Sequence, residues 1–82
     1  MYKGFNQNMR ITVQINDYFN RYGVRSGEIE LPAGATVADL LKSLGIPLSE
    51  IGFVVRNSTV LKETEQLRDG DVVLILPFVL GG

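Results

Sequence analysis

Val72-Val73-Leu74-Ile75-Leu76-Pro77-Phe78-Val79-Leu80-Gly81-Gly82 is the stretch on which the reading of this chain turns. Its first five residues are all apolar and rich in β-branched types, which predicts a strand buried in the middle of a sheet. Pro77 ends that strand, because proline brings no N–H to the ladder and holds φ near the polyproline value. An ordinary fraying terminus would be polar. Here Phe78-Val79-Leu80 is apolar and runs into two glycines. The composition points to the terminus itself as a working part.

The tail suits entry into another protein. Six extended residues reach about 20 Å, and glycine in the last two positions removes the Cβ atoms that would block a narrow channel. Ordering the six costs roughly 1–2 kcal/mol each. Burying Phe78, Val79 and Leu80 returns at best about 1.5–3 kcal/mol each. The tail alone therefore about breaks even, and the folded body is expected to add contacts. A terminal carboxylate is an anion at neutral pH, with a pKa near 3.5, and a poor electrophile until it is activated, typically by adenylation. The chain has no phosphate loop of its own; Pro32-Ala33-Gly34-Ala35-Thr36 lacks the lysine and the spacing. Activation is expected from a partner.

Outward from the last strand, a coarse pattern emerges. Ile11, Val13 and Ile15 alternate with Arg10, Thr12, Gln14 and Asn16, the period of a half-buried strand. Asp17–Gly23 reads as a loose helical turn, and Glu28-Ile29-Glu30-Leu31 as a second strand paired back on the first. Thr36 is placed to cap a helix, with Asp39 three residues on. Val37, Leu40, Leu41 and Leu44 follow at helical spacing up to Gly45, and their stripe is expected in the core. Phe53-Val54-Val55-Arg56 reads as a third strand, Asn57-Ser58 as a turn into the short Thr59-Val60-Leu61, and Arg68-Asp69-Gly70-Asp71 as the turn before the last strand. Met1–Asn8 lacks any period and is expected to be a flexible extension. The organisation is thus an extension over residues 1–8, a folded domain over 9–76 and a flexible Gly-Gly tail over 77–82.

One helix covers one face of a sheet, so the fold class is α+β: two layers, with a four- or five-stranded sheet and one main helix. Because the last strand is apolar on both faces, either Val72-Leu74-Leu76 or Val73-Ile75 must face away from the helix. An uncovered apolar face marks a partner site.

Composition narrows the rest. Eighty-two residues with 45% hydrophobic content and net charge −1 make one small globular domain. The basic residues are scattered singly, with no patch to bind nucleic acid. Without cysteine or histidine there is no disulfide, thiolate nucleophile or Ser-His-Asp arrangement, and no metal site is expected. The N-terminus has no apolar h-region and the longest apolar run is too short to span a bilayer, so a cytoplasmic protein with no membrane association is expected. Glu63/Glu65 and Asp69/Asp71 are close carboxylate pairs in apparent turns, and both read as solvated turn residues rather than a catalytic pair. An enzyme in its own right is not expected, and no bound cofactor.

Leu31-Pro32-Ala33-Gly34-Ala35-Thr36-Val37-Ala38-Asp39-Leu40-Leu41, the Asn57 turn, Leu67-Arg68-Asp69-Gly70-Asp71-Val72, and Pro77 followed by Val79 and Gly81-Gly82 together carry a resemblance. From Met9 to Gly82 the chain resembles the β-grasp sulfur carriers of the MoaD/ThiS type, which share the ubiquitin fold with its mixed sheet. The resemblance implies that a ubiquitin-activating-type adenylating enzyme uses ATP to form an acyl-adenylate on Gly82. Sulfur from a donor protein then makes a thiocarboxylate there, with Gly81 beside it, and the sulfur passes to a biosynthetic partner. The ending Pro-Phe-Val-Leu-Gly-Gly looks closer to the small subunit of molybdopterin synthase than to the thiamine-pathway carrier. It departs from the common Pro-Pro-Val-x-Gly-Gly at Phe78 and Leu80, and Ser58 replaces a glycine often found after Asn57. A large synthase subunit is then an expected partner, with Leu76, Pro77, Phe78, Val79 and Leu80 as partner-binding residues. The thiamine thiazole pathway and a ubiquitin-like protein modifier are the alternatives.

Overall fold

A computed structural model describes residues 8–78. The expected extension at Met1–Gln7 lies outside them. Strand β1 (Asn8–Ile15) leads through a 3₁₀ turn (Asp17–Tyr22) to β2 (Gly27–Pro32) and helix α1 (Val37–Leu44). A short 3₁₀ turn (Leu48–Glu50) precedes β3 (Ile51–Arg56), β4 (Thr59–Val60) and β5 (Val72–Pro77). The five strands form one mixed sheet in the order β2-β1-β5-β3-β4. As its apolar run predicts, β5 is central: parallel to β1, with Val13 opposite Val73, and antiparallel to β3, with Val54 opposite Ile75. The two-layer α+β architecture holds, with five strands and one α-helix among the described residues.

Alternation sorts each strand onto two faces. Met9, Ile11, Val13 and Ile15 of β1, Leu31 of β2, Val54 of β3, and Val73 and Ile75 of β5 turn inward and are buried against Val37, Leu40 and Leu41 of α1. Thr36 caps α1 as its sequence predicts. Its hydroxyl accepts from the Asp39 N–H, and the Asp39 carboxylate accepts from the Thr36 N–H. The N–H groups of Val37 and Ala38 donate to the carbonyls of Glu65 and Glu63, so the segment before β5 closes the start of the helix. Gly45 ends α1 in the left-handed region (φ 73°).

The elements depart from expectation in four places. Asp17–Gly23 is more than a loose turn: Asn16 caps it, and its Phe19 is fully buried, a core residue that no period announced. Strand β3 begins at Ile51 rather than Phe53, because a bulge at Gly52 breaks the alternation that would have revealed the earlier start. Asn8 already pairs with Pro32, so the sheet claims the last residue assigned to the extension. At the other end Pro77 closes β5 opposite Ile51 instead of opening the tail. Proline is tolerated there because the final residue of a strand has little ladder left to sustain.

Candidate functional site

Alternation that buries Val73 and Ile75 turns Val72, Leu74 and Leu76 to the opposite face of the sheet, where no helix lies among the described residues. Val72 is 47% exposed, while Leu74 and Leu76 are half-buried by their neighbours on adjacent strands. Of the two sets open in the sequence, this is the one that faces out, and Leu76 belongs to it. Phe53 stands opposite Leu76 and Val55 opposite Leu74; across the next strand pair Val60 stands opposite Val55. Phe53 and Val60 are more than half exposed. The result is a continuous apolar patch across β5, β3 and β4. Phe53, Val55 and Val60 were not singled out from the sequence, although once β3 is read as a strand their alternation with the buried Val54 is the signal that gives them away.

The patch has a charged border on its β1–β2 side. Across β1 and β2 the same face carries Arg10, whose guanidinium lies 3.7 Å from Glu28 and 3.3 Å from Glu30. These exposed pairs contribute little to stability, and their consequence is a polar flank beside an apolar centre.

At the upper end of the patch the chain leaves the sheet. On the β1 side the last bond to β5 runs from the Asn16 N–H to the Ile75 carbonyl at 3.2 Å. On the β3 side contact continues: Leu76 opposes Phe53, Pro77 opposes Ile51, and the Phe78 N–H donates to the Glu50 carbonyl at 2.8 Å. Phe78 has an N–H to give, as a proline at this position would not. Its side chain is 62% exposed. The Glu50 carboxylate accepts from the Tyr18 hydroxyl at 2.6 Å, and Arg21 stacks on the Tyr18 ring at 3.9 Å. The hydrogen bond to Glu50 and partial burial hold the Tyr18 hydroxyl above its ordinary value of 10.0, against the opposing pull of Arg21.

Of the expected site residues, Leu76, Pro77 and Phe78 come together at this exit. Val79, Leu80, Gly81 and Gly82 lie outside the described residues. Of the two turn pairs, Glu63 and Glu65 are exposed, as expected, whereas the carboxylates of Asp69 and Asp71 do structural work. Asp71 is not the solvated turn residue its sequence suggests: its side chain is 15% exposed, and it accepts from Arg56 Nη1 and from the Arg68 N–H, both at 2.8 Å. Asp69 accepts from the Arg10 N–H at 2.8 Å, fastening the Asp69-Gly70-Asp71 turn to β1. A turn read from sequence looks solvated because its partners, Arg10 and Arg56, arrive from distant strands. Among the described residues no three potential metal-ligating side chains gather, and no helix is long and apolar enough to cross a membrane.

Comparison with known proteins adds to this geometry. A sequence model of the ThiS family matches residues 9–82. A solved structure described as a putative molybdopterin converting factor, subunit 1, from Pyrococcus furiosus is 30% identical, with a TM-score of 0.66, covering 87% of this chain and 99% of that one. The HVO 2177 protein of Haloferax volcanii superposes with a TM-score of 0.70 at 26% identity, over 99% of this chain and 95% of that one. Small archaeal modifier protein 1 of Haloferax volcanii shares the fold at 23% identity and a TM-score of 0.62, over 88% of this chain and 98% of that one.

Proposed function

Since the chain belongs to the ThiS family of small ubiquitin-like sulfur carriers, we propose that it carries sulfur as a thiocarboxylate on Gly82 and donates it in molybdopterin formation. The observation that supports this reading best is continuity: the exposed apolar patch of β5 and β3 includes Leu76, from which the chain passes through Pro77 directly into the segment that carries the two glycines. A protein docked on the patch meets the start of that segment without a gap. The likeness to the molybdopterin converting factor subunit of Pyrococcus furiosus favours this branch over the others. The match to a ThiS model keeps thiamine thiazole formation as the second reading.

In this mechanism the chain contributes a dock and a reactive end, and partners contribute the catalysis. An adenylating enzyme binds the patch, with Leu76 and Phe53 at the end from which the chain leaves the sheet. The Gly82 carboxylate attacks the α-phosphorus of ATP, pyrophosphate leaves, and the carbonyl becomes an electrophile. A sulfide equivalent from a sulfur donor then attacks that carbonyl and AMP departs, leaving the thiocarboxylate. Glycine at positions 81 and 82 keeps both sides of the carbonyl free of side chains. The loaded chain moves to a large synthase subunit, which accepts the segment beyond Phe78 and supplies the basic groups.

The experiment is intact mass. Incubated with its adenylating enzyme, ATP and a sulfide source, the protein should gain the mass of one sulfur in place of one oxygen, mapped to Gly82. Deleting Gly82 should abolish the gain with no change in melting temperature. Addition of the large subunit and a pterin precursor should then yield the dithiolene product. Support of thiazole formation instead would assign the thiamine pathway, and lysine-linked adducts would assign a modifier.

A further inference from the structure

We propose that Gly52 and Glu50, locked by Tyr18, form an anchor that fixes the point and direction at which the C-terminal segment leaves the sheet, making all three positioning residues for the reaction at its end. The proposal rests on the reading of Gly82 as the reactive terminus. Gly52 sits at the bulge of β3 with ordinary backbone geometry, so a positive φ is not what selects glycine there. Space is. A Cβ on residue 52 would lie 2.8 Å from the Pro77 carbonyl oxygen and 3.1 Å from both the Pro77 carbonyl carbon and the Phe78 Cα. The peptide joining Pro77 to Phe78 therefore lies directly on the bare Cα of Gly52, and every atom met is backbone, which cannot rotate aside. None of the other glycines among the described residues has any atom within 4 Å of such a Cβ.

The close approach has a purpose beyond the strand pairing, because it brings the Phe78 N–H onto the Glu50 carbonyl at 2.8 Å, beyond the last paired residue of β5. Glu50 is in turn held from its other end. The carboxylate takes the Tyr18 hydroxyl at 2.6 Å, and Tyr18 is fixed by an edge-on contact with the fully buried Phe19 (5.5 Å between centroids). A chain of contacts thus runs from the core, through Tyr18 and Glu50, to the first residue past the sheet. With the root fixed at Phe78, only residues 79–82 remain to reach a partner's active site, about 13–14 Å when extended. A terminus released from residue 77 would be longer and would search more directions for the same target, and misplacement of a reacting group costs rate steeply.

The test separates anchoring from docking. Amide hydrogen exchange on the purified chain should show the Phe78 N–H exchanging at least tenfold more slowly than an unprotected amide. In Gly52→Ala that protection should vanish while the Val73 and Ile75 amides keep theirs. With the adenylating enzyme and ATP, Gly52→Ala should lower kcat for activation about tenfold and leave KM unchanged, because the apolar patch still docks. Tyr18→Phe, which removes the hydroxyl and keeps the ring, should shift Phe78 exchange and kcat in the same directions by a smaller factor; it serves in place of Gly52→Ala should the latter not fold. An unprotected Phe78 amide in the unaltered protein overturns the anchor, as does unchanged kcat in a variant that has lost the protection. A rise in KM alone would assign Gly52 to docking and overturn the proposal equally. Should the unaltered protein fail to be activated at all, the sulfur-carrier reading falls, while the exchange data still decide whether the anchor exists.

Discussion

Neighbours in β5 have opposite fates although their side chains are chemically alike. Val73 is fully buried under α1, and Leu76, three residues on, sits on the outer face among Phe53 and Val55. The two positions make a paired prediction. Leu76→Lys leaves the ammonium at a surface where its stem can lie along the patch and its head reach water, so stability should change by no more than about 1 kcal/mol. Its complex with the adenylating enzyme should weaken at least tenfold, about 1.4 kcal/mol, because docking would then bury an unpaired charge. Val73→Lys places the same charge in the core and should unfold the domain. Chemical denaturation of both variants and a binding titration of the first supply the check; an unfolded Leu76→Lys would reverse the assignment of the faces.

Turns and caps decide where the elements begin. The β3–β4 connection is a two-residue turn in which both Asn57 (φ 52°) and Ser58 (φ 64°) are left-handed, the geometry that fits the twist of a hairpin. Asparagine tolerates it and serine does so only with strain, roughly 1–2 kcal/mol for an L-residue. Ser58→Gly removes the strain and adds chain entropy to the unfolded state, leaving a net stabilisation of up to about 1 kcal/mol, visible as a raised denaturation midpoint. The start of α1 has a pH signature. Hydrogen bonds from the Thr36 backbone and then its side chain hold the Asp39 carboxyl below its ordinary value of 3.8. A carboxylate depressed in the folded state contributes stability above the unfolded value and loses it as pH falls through the folded one. The stability gap between the protein and Asp39→Asn should therefore be open at about pH 7 and narrow at about pH 3. A gap that persists in acid would assign the loss to packing rather than to the cap.

At the scale of the molecule, the one α-helix and five strands among the described residues leave one face of the sheet without cover. The centre of that face is apolar, and its charged border at Arg10, Glu28 and Glu30 is already paired within the chain. Docking there should follow the thermodynamics of apolar burial, with a negative heat-capacity change and only weak dependence on salt. Calorimetric titration of the adenylating enzyme at several temperatures and ionic strengths measures both. A steep loss of affinity with salt would place the dock on a charged surface instead, away from β5.

Sequence alone determined what depends on local pattern. The apolar run Val72–Leu76 made β5 central, the alternation Ile11-Val13-Ile15 made β1 half-buried, and Thr36 with Asp39 and Gly45 bounded α1, because period, caps and turn residues act over a few positions. The Asp69-Gly70-Asp71 turn and the stretch from Pro77 to Gly82 carried the family in the same way. What the sequence left open was which face of β5 points outward, since a strand apolar on both sides gives alternation nothing to discriminate; only packing α1 against Val73 and Ile75 decided it. The burial of Phe19, the pairing of Asp71 with Arg56, and the seat of the Pro77–Phe78 peptide on Gly52 were likewise decided by tertiary structure. Each depends on groups far apart in the chain, such as Arg56 and Asp71 or Gly52 and Pro77, whose meeting is fixed by the register of the sheet and written in no local pattern.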